Sequence, residues 1–152
     1  MRRATSGEPA TAYVVDACVI AKWAIPEDDS DRALRLLALA ERGEARLLAP
    51  SLWRVEVTNV VWKHLQRGLL HPADADAAVA LLRHLPIENV PDARVLEPAF
   101  TIAVEAGVSV YDALYAALAF DTLAPLVTAD RRLAERLRAR WPDFGVVGVW
   151  EG

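Results

Sequence analysis

Apolar residues follow two rhythms along the chain: short unbroken runs, and longer stretches that repeat every three to four positions. Tyr13-Val14-Val15-Asp16 is a compact apolar run ending in an acid and reads as a buried strand. Val19 to Ala24 fits a short helix stopped by Pro26. Glu27-Asp28-Asp29-Ser30-Asp31 sets acids at the positive end of a following helix. In that helix Ala33, Leu34, Leu36, Leu37 and Ala40 recur at helical spacing, and Gly43 ends it. Arg46-Leu47-Leu48-Ala49 reads as a second strand. Pro50-Ser51 opens a long helix through Leu65, closed by Gly68, and Pro72 opens another that ends near Leu85. Ile87 to Val90 reads as a third strand, Arg94 to Ala106 as a helix ended by Gly107, and Val110 to Phe120 as the next helix. Leu126-Val127-Thr128 is a fourth strand, Asp130 starts a helix running to Ala139, and Val146 to Val149 is a last strand.

Strands alternating with helices predict the α/β class: a three-layer α/β/α sandwich around a central parallel sheet of about five strands. Ligands of such folds bind just beyond the carboxyl ends of the strands, so chemistry is expected there. Residues 12–152 are expected to form one domain, and residues 1–11 a flexible arm. Arg2 and Arg3 are followed by Ser6, Gly7, Glu8 and Pro9 where a signal peptide would be apolar.

Composition narrows the possibilities. At 152 residues, 54% hydrophobic and 25% charged, the chain has material for one real core and is not globally disordered. A single cysteine, Cys18, excludes an intramolecular disulfide and a cysteine-rich zinc site. That fits a reducing compartment, and a cytoplasmic location is expected. No apolar stretch approaches the roughly 18–20 residues of a membrane span. A net charge of −4 argues against binding nucleic acid through bulk positive charge. Cations held over the carboxylates would lift that objection.

Four acids stand in unusual places. Asp16 ends the first strand, where it either caps the next helix or faces a ligand. Glu56 interrupts an apolar helix stripe between Leu52 and Val60, while Arg54 points away from that face and Asn59 lies one turn on. Asp112 shares a face with Val108, Tyr115, Ala116 and Ala119 on an otherwise apolar helix, although a first-turn acid is also favoured by the helix dipole. Asp130 follows the fourth strand and is equally placed for an N-cap. Thr128 ends that strand, where its hydroxyl could orient an acid or a water. Carboxylates that converge repel one another and call for a cation. Oxygen-only ligands suit Mg²⁺ or Mn²⁺ far better than zinc.

These segments together resemble a known family. Val14-Val15-Asp16-Ala17-Cys18-Val19-Ile20-Ala21-Lys22-Trp23, Glu56 with Asn59, Tyr111-Asp112-Ala113-Leu114-Tyr115, and Leu126-Val127-Thr128-Ala129-Asp130 are similar in order and context to the PIN domain. More narrowly they resemble VapC-type toxins of bacterial toxin–antitoxin operons, over about residues 13–150. The resemblance implies a metal-dependent endoribonuclease using Mg²⁺ or Mn²⁺, a small antitoxin partner and a homodimer. By the family pattern Asp16, Glu56, Asp112 and Asp130 form the acidic metal pocket, with Thr128 beside it. One departure stands out. The family often carries Ser or Thr two residues after the first acid, and here that position is Cys18, which as a residue type is expected to be a small buried hydrophobe.

Other features carry less. His64, His71 and His84 make no metal-ligand spacing. Trp23, Trp53 and Trp62 read as core by default, with Trp53 and Trp62 also offering an apolar docking surface. Arg131, Arg132, Arg136, Arg138 and Arg140 form either a solvated helix face or a phosphate-contacting ridge. Two other functions share part of the pattern. A receiver-like phosphoacceptor domain would also have a strand-end Asp and a Thr-ending strand, but usually needs a lysine late in the sheet, and the only lysines are Lys22 and Lys63. A catalytically inactive PIN-fold interaction module would have no need of all four acids.

Overall fold

The computed structural model describes residues 9–27 and 30–151. The expected arm falls mostly on residues 1–8, outside the described residues. Five parallel strands form the sheet: β1 (Thr11–Val15), β2 (Ala45–Pro50), β3 (Ile87–Val90), β4 (Leu126–Thr128) and β5 (Val146–Gly148). Among the described residues seven α-helices connect them: α1 (Ala17–Ala24), α2 (Ser30–Glu41), α3 (Trp53–Gln66), α4 (Pro72–Leu81), α5 (Leu96–Ala106), α6 (Val110–Thr122) and α7 (Arg131–Arg140). The strand order is β3-β2-β1-β4-β5. That order differs from the 2-1-3-4-5 arrangement of receiver domains and removes the receiver-like reading.

α1 contacts α2, α3 and α4, whereas α5 contacts α6 and α7. Two helical layers result, as right-handed crossovers require. Moving from β1 out to β3 puts helices on one face, and moving back through β4 to β5 puts them on the other. α6 lies in the centre of its layer. Every residue from Ala113 to Ala119 is buried, because alanines on the sheet side let the helix approach β1, β2 and β4 closely. Its start is fixed by Ser109, whose Oγ accepts from the Asp112 amide at 3.1 Å.

Pro50 departs from expectation. It is the last residue of β2, in register with Val90, and not the opening of the helix. Its missing N–H costs nothing at a strand end, and pairing resumes through the Ser51 amide, which donates to Val90 O at 2.9 Å. α3 begins three residues later, its entry held by Asp92, whose carboxylate accepts from the Leu52 amide at 3.1 Å. The helix foreseen to Leu85 ends as α4 at Leu81 and finishes in a 3₁₀ turn, Leu82–His84. Likewise Asp92–Arg94 is a 3₁₀ turn ahead of α5. Trp53 is fully buried, its indole N–H donating to Asn89 Oδ1, so it is core and takes no part in a docking surface. Among the described residues no single helix is long and apolar enough to cross a membrane.

Candidate active site

β1 and β4 are neighbours, and at their junction the connection reverses: the chain builds outward from β1 through β2 to β3, then returns to β4 and builds the other way. The carboxyl ends of such a pair leave a crevice between the diverging loops. Asp16 directly follows β1, and Asp130 lies two residues beyond β4. α3 and α6 bring Glu56 and Asp112 toward the same edge.

Asp16 occupies the N-cap position of α1 but makes no side-chain cap, so the capping role fails. Its Oδ2 instead accepts from Thr128 Oγ1 at 2.8 Å and from Cys18 Sγ at 3.1 Å. The Thr128 hydroxyl in turn accepts from the Asp130 amide at 3.0 Å. One fully buried hydroxyl thus ties the acid after β1 to the loop after β4. Asp130 does cap α7, as its position suggested, with Oδ1 accepting from the Leu133 amide at 3.0 Å. Glu56 is oriented by Tyr115, whose phenol donates to Oε1 at 2.8 Å.

The electrostatics show that the acids share one field. Burial pushes Asp16 up to about 6; the Cys18 and Thr128 hydrogen bonds oppose this, while repulsion from Asp112 and Asp130 adds to it. Glu56 is pushed up to about 7, first by burial, against the Tyr115 hydrogen bond, with Asp16, Asp112 and Asp92 adding repulsion. Asp112 is raised by burial and by Asp130, against the Ser109 hydrogen bond. The Cys18 thiol is raised well above its ordinary value by burial and by Asp16, so it stays protonated and acts as a donor. Among the described residues no three His, Cys, Asp or Glu side chains already form a cluster able to hold an ion. The four acids converge in potential without closing into a cage.

That arrangement fits a small hard cation. Mg²⁺ keeps several waters and binds through one or two carboxylates, so it needs no all-protein cage. The donors here are carboxylate oxygens and one hydroxyl, and the one sulfur nearby is locked as a thiol.

Two features escaped the sequence. Cys18 is not an inert hydrophobe: it hydrogen-bonds the first acid and accepts from the Ala129 amide at 3.3 Å, the positions a hydroxyl would use. Tyr115 was legible only as a residue on the face of Asp112. The signal for its role was a phenol one turn from an acid on an alanine-rich buried helix, where its O–H requires a partner.

A five-stranded parallel α/β sandwich with an acidic pocket at its switch point defines the class, and the chain belongs to the PIN domain family, whose model matches residues 13–138. It is 39% identical over 130 residues to Ribonuclease VapC3 of Pyrobaculum aerophilum, covering 83% of this chain and 95% of that protein. The crystal structure of PAE2754 from Pyrobaculum aerophilum matches with a TM-score of 0.66 at 27% identity, over 95% of this chain and 93% of that one. VapBC2 from Rickettsia felis, solved bound to a DNA fragment from their promoter, matches with a TM-score of 0.60 over 91% of this chain and 98% of that one. At 15% identity it shows the fold alone.

Proposed function

We infer that this protein is an endoribonuclease of the VapC type, the toxin of a toxin–antitoxin pair, hydrolysing RNA phosphodiester bonds. The observation that carries this is the acidic pocket itself. Asp16, Glu56, Asp112 and Asp130 lie around the sheet's switch point within one another's electrostatic reach, in a chain 39% identical over most of its length to a protein named as a ribonuclease.

We propose that Asp16, Glu56, Asp112 and Asp130 hold Mg²⁺ or Mn²⁺. When bound, the ion offsets the charge of the scissile phosphate and makes water a better nucleophile. The chain's own residues do the rest. Thr128 and Cys18 both donate to the same oxygen of Asp16 and fix its carboxylate, so no reorganisation is needed when charge develops. Glu56 ionises at about 7 in the metal-free chain, and a cation bound beside it favours its ionised form, so at neutral pH with metal it acts as a carboxylate that holds the ion or accepts a proton. Tyr115 holds it in one orientation.

We propose further that the chain forms a homodimer, acts in the cytoplasm and binds a small antitoxin protein. Two exposed apolar faces support an assembly: Leu96, Phe100 and Val104 recur every fourth residue on α5, and Trp62 stands with Val55 on α3.

Incubation with total RNA in Mg²⁺, Mn²⁺ or EDTA tests the reading. Cleavage is expected with metal and none in EDTA. Asp16→Asn keeps an oxygen where Thr128 and Cys18 donate, and removes the charge. It should fold normally and cleave at least about a hundredfold more slowly. Equal rates for Asp16→Asn and wild type would remove the nuclease assignment from this pocket.

A further inference from the structure

Five arginines follow Asp130 within ten positions, and the structure separates them. Arg131 stacks over Trp150 at 4.6 Å. Arg136 donates to Gly107 O at 3.0 Å. Arg138 donates to Val146 O and pairs with Glu151, both at 2.7 Å. Arg140 pairs with Glu105 at 2.7 Å and lies over Trp141. These four fasten α7 to its surroundings. Arg132 alone of the five makes no ion pair, hydrogen bond or ring contact among the described residues.

Its position is unfavourable for a structural cation. Arg132 is the second residue of α7, at the positive end of the helix dipole. It lines a cavity of about 290 Å³ together with Ser109, Asp112, Asp130 and Arg136; Arg136 is held on Gly107 O, whereas Arg132 makes no salt bridge to either acid. A guanidinium held for the fold would pair with them. One left open beside two site carboxylates is available to an incoming anion.

The charge balance says which anion. RNA brings one negative charge per nucleotide to a pocket of four carboxylates. A divalent ion held by these acids would offset two of those charges, and would do so at the scissile phosphate. The next phosphate along the strand meets no such ion and needs a cation of its own. We propose that Arg132 is a substrate-binding residue that holds a backbone phosphate flanking the scissile one, guiding RNA through the groove between the starts of α6 and α7. The inference rests on the ribonuclease reading and names part of its substrate: a strand longer than a dinucleotide, gripped by its backbone and not by a base.

Steady-state cleavage of an RNA oligonucleotide by Arg132→Ala and Arg132→Lys tests it. Arg132 is exposed, so both variants should melt as wild type does. Arg132→Ala is expected to raise KM about tenfold with kcat unchanged. It should also flatten the dependence of log KM on log salt concentration by about 0.7, the value for one phosphate on a single strand. Arg132→Lys should recover most of the loss, because lysine binds a phosphate as a point charge. On a dinucleoside monophosphate, which has only the scissile phosphate, Arg132→Ala should match wild type. Unchanged KM and salt slope on the oligonucleotide would overturn the assignment, as would a fall in kcat or an equal loss on the dinucleotide. A wild type that cleaves no RNA would instead sink the ribonuclease reading, and Arg132 with it.

Discussion

Tyr115 Oη donates to Glu56 Oε1 at 2.8 Å, linking the buried centre of α6 to the second acid of the pocket on α3. The phenol is fully buried, and burial together with Glu56 pushes its ionisation up, so it is a permanent donor. It acts on the reaction through Glu56 alone. Tyr115→Phe keeps the ring and removes the donor. The expected result is a roughly tenfold lower kcat with little change in KM, since one hydrogen bond to a charged group contributes about 1.5–3 kcal/mol. Removing a bond that favours the ionised form should also shift the acid limb of the pH–rate profile upward. An unshifted profile with unchanged kcat would show that Glu56 needs no orienting partner.

Cys18 tests whether the pocket needs a hydroxyl or only a donor at that position. Its thiol donates to Asp16 at 3.1 Å and accepts from the Ala129 amide at 3.3 Å. Serine supplies the same donor and acceptor with a stronger O–H, so Cys18→Ser should retain or increase cleavage. Cys18→Ala leaves Thr128 as the remaining donor to Asp16 Oδ2 and should lower kcat several-fold. Loss of cleavage in Cys18→Ser would give the thiol a role beyond hydrogen bonding.

The pH dependence of stability follows from the same acids. Asp16 and Glu56 ionise at about 6 and about 7 in the folded chain, against 3.8 and 4.5 for ordinary carboxyls. Across that window the native state binds more protons than the unfolded one, so stability falls as pH rises from about 4 to about 7. Asp112, also raised, acts in the same direction. The carboxylates lowered by arginines, such as Glu88, have the opposite sign, but their effect lies below 4.5. Metal-free protein should therefore melt higher at pH 5.5 than at pH 8. Millimolar Mn²⁺ should remove most of that difference by binding the deprotonated native state. Asp112→Asn should weaken both effects. A metal-free melting temperature that rises from pH 5.5 to pH 8 would contradict the shared field of the acids.

Assembly is expected through α5. Leu96, Phe100 and Val104 form an exposed stripe on a helix whose other face packs on α6. Sedimentation at tens of micromolar should give a dimer. Phe100→Glu should give a folded monomer, with native circular dichroism and a melting temperature lowered only by the stabilisation that the dimer contact contributes, because the residue is largely exposed. A wild type that sediments only as a monomer would remove the dimer.

Much of this protein was legible along the chain because its signals are local. Apolar runs of strand length, helical spacing and turn residues gave all five strands and seven helices, with errors of a few residues at the ends. Pro50 reads along the chain as a helix opening because a proline suits both a helix opening and a strand end, and only the pairing with Val90 tells them apart. Glu56 and Asp112 stand out because a charge within an apolar stripe needs a reason, and Asp16 and Asp130 because they follow strands at the edge where such folds bind ligands. The alternation of elements fixed the parallel sheet. It left open the order β3-β2-β1-β4-β5, which sets Asp16 beside Thr128 across 112 residues. Contacts of that kind leave no periodicity in sequence. Thr128 as a bridge, Cys18 as a donor, Tyr115 as the holder of Glu56 and Arg132 as the open one of the five arginines on α7 are decided by which groups become neighbours after burial. Burial is also what separates them, since a polar group out of water must find a partner, and the chain alone does not say which partner is in reach.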